Sequence, residues 1–439
     1  MASAIESDEL TRVGPGTVMG DLMRQYWIPA AKSSELVPGG EPLKLMLLGE
    51  KLIAFRDETT GRVGVMDHRC PHRCASLFLG RNEPGGLRCI YHGWKFDTEG
   101  NCLEMPNVAP AQRFEDKVKA KAYKVNERGG LIWVYMGARA EAPPMPMIEA
   151  TRLNSDEVNA QFVLRDCNWM QALEGDIDTS HFSFLHIGSV TADQVPEDST
   201  LKYQVACRAP EYHVADTEWG TMYAAFRPTE DEKKTYWRFA QFGFPFWAQV
   251  PQGNFIDRVS ARAWVPMDDN HTMSVTLNWT KMSRASSLMK DGKPLPGAQA
   301  QVELLPNENH WYGRFRAKAN DSNNYLIDRE AQRNGTIFSG ITNIHIQDQA
   351  VTESMGPITD HDFEHLAPSD QMIARTRRRL VHAARALREK GTVPPAVDNP
   401  EVFLQARSGE AVVATTDWRE AYAAKLQEIV RPTYAVAAE

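Results

Sequence analysis

Cys70-Pro71-His72, sixteen intervening residues, then Cys89-Ile90-Tyr91-His92: the fold is decided by how this stretch is read. Each arm offers one thiolate and one imidazole. A [2Fe–2S] cluster with two cysteines on one iron and two histidines on the other needs that donor set. Two such loops can clamp it, each reaching both irons. A zinc site of the same composition ordinarily pairs cysteine with cysteine and histidine with histidine. Both arms here are mixed, which favours the cluster over zinc and over unligated residues. Pro71 stiffens the first loop, and Gly85, Gly86 and Gly93 permit tight turns whose amides can approach the sulfides. Imidazole ligation raises the reduction potential above that of an all-cysteine cluster, which suits a cluster that passes electrons onward. The chain has six cysteines in 439 residues, too few for a disulfide framework. Cys74 and Cys102 lie near the pattern but off it and read as packing residues.

Outward from the arms, short strand signals run from about 40 to 137. Leu43, Leu45 and Leu47 alternate, Leu52-Ile53-Ala54-Phe55 and Val63-Gly64-Val65 follow, and Leu131-Ile132-Trp133-Val134-Tyr135 closes the series. This predicts a small antiparallel β domain over 40–137, preceded by a segment, 1–39, that packs on a second domain. Residues 138–146 are a proline-rich linker, and 147–439 form the larger, mixed domain. In it, an acidic helix is expected near 168–186, strands at 236–242 and 273–277, and helices at 369–390, capped by Ser369, and at 417–430 after Asp417. Gly14, Gly16 and Gly20 loosely resemble a dinucleotide loop, but no strand precedes them, so they read as turn residues.

The second informative segment is Asn168-Trp169-Met170-Gln171-Ala172-Leu173-Glu174-Gly175-Asp176-Ile177-Asp178-Thr179-Ser180-His181-Phe182-Ser183-Phe184-Leu185-His186. Two histidines with carboxylates nearby suit an Fe(II) site of two histidines and one carboxylate, which leaves positions open for O2 and substrate. An amphipathic helix with two buried polar histidines is the competing reading. Positions five apart diverge by about 140° on an ideal helix, so His181 and His186 converge only if the helix widens or breaks, as single π-turns do. Asp178, three before His181, can orient that imidazole. The third ligand must come from elsewhere. Asp348, in the mostly apolar run Ile344-His345-Ile346-Gln347-Asp348-Gln349-Ala350-Val351, is the first candidate and Glu353 the second, against a plain solvated face.

Together, Arg69-Cys70-Pro71-His72-Arg73, Tyr91-His92-Gly93-Trp94-Lys95-Phe96, Glu174-Gly175-Asp176-Ile177-Asp178 and Gln347-Asp348 resemble the ring-hydroxylating Rieske oxygenase family, most closely its phthalate dioxygenase branch. The resemblance implies an α+β chain: a Rieske antiparallel β domain joined to a helix-grip (Bet v 1-like, START-like) catalytic domain. It implies a [2Fe–2S] cluster on Cys70, His72, Cys89 and His92, Fe(II) on His181, His186 and Asp348, and O2 as co-substrate. It further implies a head-to-tail homotrimer or a stacked hexamer, in which His92 of one subunit faces Asp178 of the next. Electrons would come from an NADH-dependent reductase carrying FMN and a plant-type [2Fe–2S] cluster. Asp178 and Asn168 are the expected catalytic residues. Cis-dihydroxylation of an aromatic carboxylate in aromatic catabolism is the expected activity, of the phthalate 4,5-dioxygenase type, with O-demethylation of a methoxylated aromatic acid as the alternative.

Arginine can grip a carboxylate bidentately, so Arg238 and Arg208, with Ser183, are the expected substrate contacts, and a structural salt bridge is the competing role for either arginine. The formal net charge of -8 argues against a nucleic-acid partner. No apolar run approaches a membrane span, and the acidic start lacks an apolar signal region, so a cytoplasmic location is expected. A Rieske ferredoxin-type carrier would leave about 290 residues and the second metal motif unexplained. A zinc-bound regulatory module would be colourless where a Rieske protein is red-brown.

Overall fold

The computed structural model describes residues 4–283 and 288–434. The alternating strands of the first half form one six-stranded antiparallel sheet, ordered Trp27–Lys32, Leu131–Tyr135, Ala122–Arg128, Val63–Asp67, Glu50–Arg56, Leu43–Leu47. A four-stranded sheet, Arg81–Glu83, Gly86–Arg88, Lys95–Phe96 and Cys102–Glu104, stands beside it. The two sheets share a core of Ile53, Phe55, Leu87 and Phe96, with Cys70 and Cys89 at its rim. The Cys89–His92 arm is thus the tip between two paired strands, and the Cys70–His72 arm is closed by the Arg69–Ser76 bridge.

The boundary drawn at residue 40 falls inside this sheet. Trp27–Lys32 pairs with Leu131–Tyr135 and is its edge strand, while Ala4–Thr11 and Val18–Met23 are helices lying against the helix Gln371–Lys390 of the larger region. An apolar alternation is weak in Trp-Ile-Pro-Ala-Ala-Lys, which is why this strand escaped the sequence. No helix or strand spans residues 138–146, but Trp27 Nε1 donates to Pro143 O at 2.7 Å, which ties that segment to the sheet.

The larger region is built on an eight-stranded antiparallel sheet. Its order is Val158–Arg165, Thr272–Trp279, Ser260–Pro266, Trp247–Gln249, Thr235–Gly243, Gly220–Pro228, Glu211–Asp216, with Gly409–Val413 also paired to Thr235–Gly243. Every residue of Thr235–Gly243 is buried, as expected of a strand covered on both faces. The twenty-residue helix Gln371–Lys390 lies against Gly220–Pro228, the helix-grip arrangement that the resemblance implies. Trp418–Glu428 starts at Asp417, whose carboxylate accepts from the amides of Arg419 and Glu420. Ser369, by contrast, does not cap Gln371–Lys390. A 3-10 turn, Pro368–Asp370, precedes that helix, Asp370 holds the cap position, and the Ser369 hydroxyl turns to the Asp370 carboxylate.

The segment read as one helix over 168–186 is two elements. Trp169–Ile177 is α-helical, Asp178 is extended, and Phe182–His186 is a π-helical turn in which Ile187 N donates to Phe182 O at 3.2 Å. Trp169–Ile177 packs on Trp247–Gln249 and Ser260–Pro266, and Ile344–Ser354 packs on Trp169–Ile177. Those contacts bring the two halves of the second motif together.

Candidate metal centres and active site

At the end of Trp169–Ile177 the backbone leaves the helix, and Asp178 becomes the start of a new turn. Its Oδ1 accepts from Ser180 N at 2.6 Å and its Oδ2 from His181 N at 3.3 Å. The same Oδ2 lies 3.3 Å from His181 Nδ1. Asp178 therefore meets His181 through a capping turn and not, as the spacing suggested, across one helix face. The widened turn that follows brings His186 round to His181, with the two Nε2 atoms 3.1 Å apart.

Asp348 completes the group from Ile344–Ser354. Its Oδ1 is 3.1 Å from His186 Nε2 and 3.6 Å from His181 Nε2. Among the described residues this is the one cluster of three such ligand atoms within 4.8 Å of one another. Asp178 Oδ2 beside His181 Nδ1, and Gln347 Oε1 at 2.6 Å from His186 Nδ1, are each placed to accept from an Nδ1–H. In that tautomer both Nε2 lone pairs face each other and a carboxylate, a donor set that fits a cation between them. Three ligands at right angles on an ion with bonds of about 2.1 Å lie about 3 Å apart, so the set fits one face of an octahedral ion. Burial opposes the Asp348 charge, but His186, His181 and Arg165 outweigh it and hold the carboxyl well below the usual range.

Supporting contacts fix the rest. Gln347 Nε2 donates to Ile341 O at 2.6 Å and Gly297 O at 3.1 Å, which fixes the amide that orients His186. Gln171 ties the two helices by donating to Thr352 O and Gly356 O at 2.8 Å. Of the other carboxylates in the motif, Glu174 is held by Arg377, and Asp176 by Arg262 at 2.6 Å and Trp264 Nε1 at 2.8 Å. Glu353, the second candidate for the ligand, points away: it accepts from Asp166 N, Gln349 Nε2 and Tyr325 Oη.

A cavity of about 60 Å³ opens on His181, His186 and Asp348 and is also lined by Asp178, Thr179 and Arg238. It shares Phe182, Gln252, Ile344 and His345 with a larger one of about 500 Å³. Burial, then the Arg262 charge, holds His345 down to about 3, so it faces both cavities as a neutral ring.

Three expected site residues lie elsewhere. Asn168 is the N-cap of Trp169–Ile177: its Oδ1 accepts from Met170 N at 3.0 Å, and its Nδ2 donates to Thr11 O and Asp269 O. Arg208 clamps the backbone of the π-turn, donating to the carbonyls of Ser183, Gly188 and Val190. Ser183 is fully buried, with its hydroxyl on Gln204 O at 3.2 Å. None of the three lines either cavity. Arg238 does reach the metal cavity, where it donates to Thr179 Oγ1 and Pro251 O. Gln347 and Glu410 were missed as individual residues. Gln347 sat inside a motif without a role, and Glu410, which lines the larger cavity with its carboxylate 3.7 Å from Arg238 Nε, lies 172 residues from that arginine in sequence.

The two cysteine–histidine arms also meet. The His72 and His92 rings are 4.4 Å apart, and His72 stacks on Trp94 at 4.4 Å. Cys70 and Cys89 are buried, and burial and the neighbouring Cys89 push the Cys70 thiol up to about 12. Two adjacent buried sulfurs, and a buried His72 Nδ1 with no hydrogen-bond partner, fit an iron–sulfur cluster between the arms. Gly93 lies in the left-handed region at φ 79°, and a Cβ there would sit 2.6 Å from Pro106 Cγ, so the second loop needs glycine. Cys102 packs in the small core, but Cys74 is exposed, with a φ of 60°, and is not a packing residue.

A family model described as Rieske [2Fe-2S] domain matches residues 26–118, and one described as LigXa C-terminal domain like matches 134–436. The chain is 51% identical over 435 residues to the oxygenase subunit of 3-chlorobenzoate-3,4-dioxygenase from Comamonas testosteroni, covering 98% of this chain and 100% of that one. It is 36% identical to the phthalate 4,5-dioxygenase oxygenase subunit of Pseudomonas putida, covering 94% and 92%. It is 32% identical to the 5,5'-dehydrodivanillate O-demethylase oxygenase subunit of a Sphingobium strain, covering 90% and 84%. In structure it is similar to the QL mutant of NdmA from Pseudomonas putida CBB5 with theobromine, at TM-score 0.54 and 18% identity, covering 88% and 96%.

Proposed function

Since this chain belongs to the Rieske non-haem iron oxygenases, as an oxygenase subunit, we propose that it cis-dihydroxylates an aromatic carboxylate, with O2 and two electrons from a separate NADH-dependent reductase. The reductase is of the FMN and plant-type [2Fe–2S] kind and shares the cytoplasm with it. Cys70, His72, Cys89 and His92 hold the cluster, and His181, His186 and Asp348 hold Fe(II). When bound, the iron activates O2 and the cluster supplies its electrons. The observation that carries the reading is the three-ligand face opening on a cavity that Arg238 also lines.

The protein's own part is placement. Asp178 and Gln347 keep both Nε2 atoms free for the metal. Phe182 and Ile344 give an aromatic ring an apolar wall, and Arg238 favours an acid at the cavity's edge. The 51% identity to an enzyme named for 3-chlorobenzoate supports a monocarboxylate over phthalate. The iron site is equally compatible with O-demethylation of a methoxylated acid, and the O-demethylase relative favours that as the second reading.

Within one chain, His92 and the iron ligands belong to different domains, and a trimer would join them between subunits. Exposed apolar residues support this. Ile90 and Tyr91, 59% and 52% exposed, adjoin His92, and Phe184, 49% exposed, lies between His181 and His186. Two such patches beside two metal sites are what a subunit interface covers. Asp178, one-fifth exposed, would then bridge His181 to the neighbour's His92.

The test is turnover of 3-chlorobenzoate, phthalate and a methoxybenzoate with reductase and NADH. A dihydrodiol from the chlorobenzoate is expected. Formaldehyde from the methoxybenzoate, with no dihydrodiol from any acid, would replace dihydroxylation by the second reading.

A further inference from the structure

Ile344 and His345 open the helix that carries Asp348, and the fold holds His345 by its main chain. Its N–H donates at 2.9 Å to Asn343 Oδ1, the cap of Ile344–Ser354, and its carbonyl accepts from the buried Arg165 Nη2 at 3.1 Å. Among the described residues, nothing hydrogen-bonds either ring nitrogen. Neither nitrogen is sealed off: the residue is only half-buried, and it lines both cavities. Three residues before Asp348, it shares a helix face with that ligand.

The two cavities divide an aromatic substrate between them. The one on the iron ligands holds about 60 Å³, whereas a cavity that takes a whole benzene ring is about 150 Å³. Only the reacting edge of a ring enters it. The remainder, with its acid group, lies toward the neighbouring cavity of about 500 Å³. Phe182, Gln252, Ile344 and His345 line both cavities and form the neck between them. Two of the four are apolar, and Gln252 is exposed. His345 is the polar group of the neck whose backbone is fixed on both sides.

The charges around the neck already have partners. Arg262 pairs with Asp176 at 2.6 Å. Arg238 has the Glu410 carboxylate 3.7 Å from its Nε and donates to Thr179 Oγ1 and Pro251 O. Glu410 also answers the charge of Arg258, which donates to Val250 O at 3.2 Å and lines neither cavity. Lys425, in the wall of the larger cavity, has Glu428 at 2.7 Å. These cations attract an acid, but each is held in place by other groups. A donor without a partner is what can set the acid's direction. Burial, and then the Arg262 charge, keep the His345 ring neutral, with one N–H to give.

We propose that His345 is a specificity-determining residue: its ring N–H donates to the substrate's carboxylate at the neck and so fixes which ring carbons face the iron ligands. This rests on reading the substrate as an aromatic acid. Arg238 supplies attraction, and His345 supplies register. With the carboxylate held at one point of the neck and the ring between Phe182 and Ile344, the reacting carbons are those at a set distance from the acid group.

Anaerobic calorimetric titration of the holoenzyme with 3-chlorobenzoate and with 3-chlorotoluene, which has no carboxylate, tests it, together with product analysis after adding reductase, NADH and O2. Wild type binds the acid more tightly than the toluene and forms one dihydrodiol from it. His345→Phe keeps a ring but has no donor. It weakens the acid by roughly ten- to a hundredfold, the worth of a hydrogen bond to a charged group. It leaves the toluene unchanged and gives a mixture of dihydrodiols. His345→Gln, which keeps a donor, recovers acid binding and the single product. Both variants keep the iron content and cluster spectrum of wild type. If His345→Phe keeps the acid preference or the single dihydrodiol, the contact is wrong while the aromatic-acid reading stands. Equal weakening of both probes, or loss of iron, would make His345 structural and also overturn the contact. No preference for the acid in the wild type would sink the aromatic-acid reading itself.

Discussion

Cys89→Ser removes one of the two thiolates that a cluster between the arms requires, so the reduced-state paramagnetic signal should vanish while iron at the second site remains. A normal Rieske spectrum from that variant would refute the ligand assignment. At the other centre, Asp348→Ala should lose mononuclear iron and all product while keeping the cluster, as metal analysis and the cluster spectrum would report. Loss of iron on Glu353→Ala instead would reverse the choice. Gln347→Leu leaves every ligand in place but frees the His186 ring, and loss of such a partner typically weakens a metal by about 10–100-fold. Iron affinity at the wild-type level in that variant would remove the orienting role. The candidate ligands were legible in the sequence because each metal demands a donor set, and that demand is local for the arms and the histidines. Gln347 and Glu410 were not, because their meaning comes from partners 161 and 172 residues away: His186 and Arg238.

Among the elements, the π-turn at Phe182–His186 was predictable from the five-residue spacing alone, since no regular helix brings His181 and His186 together. The break before it was not foreseen, because Asp178 reads equally as a helix-face partner and as a cap. Asn168→Ala should separate structure from catalysis. It deletes the cap of Trp169–Ile177 and strips the donor from two carbonyls, Thr11 O and Asp269 O. The loss of cap and bonds is worth about 2–3 kcal/mol, or a fall of roughly 5 °C in melting temperature. Turnover per bound iron should stay at the wild-type value; a drop in that ratio would restore the catalytic role first expected of it. Arginines mislead at this scale for a related reason. Arg208 and Arg238 look alike in sequence, yet one holds three carbonyls of the π-turn and the other reaches the cavity.

For the whole molecule, the two-domain α+β architecture was legible, apart from the strand Trp27–Lys32, whose place is fixed by its partner at 131–135 and not by its own pattern. Sedimentation should give three times the 49.4 kDa chain mass or a multiple of it. A sharper test mixes defects. Cys89→Ser chains lack the cluster and Asp348→Ala chains lack the iron, so neither turns over alone. Co-expressed, they should regain part of the activity if the cluster of one subunit serves the iron of the next. No recovery in verified hybrids would place electron transfer within one chain. Asp178→Asn, which cannot accept from both imidazoles, should keep both metals yet fail to oxidise a pre-reduced cluster when substrate and O2 are added; a wild-type rate would end the bridge. The two sheets also close at different times. The six-stranded one is complete once residue 135 has left the ribosome, whereas the eight-stranded one waits for Gly409–Val413, the strand that sets Glu410 against Arg238. Domains fold as units during synthesis. A nascent chain can therefore receive its cluster while the catalytic sheet is still open. A chain truncated before Gly409 should be coloured but unable to recognise its substrate.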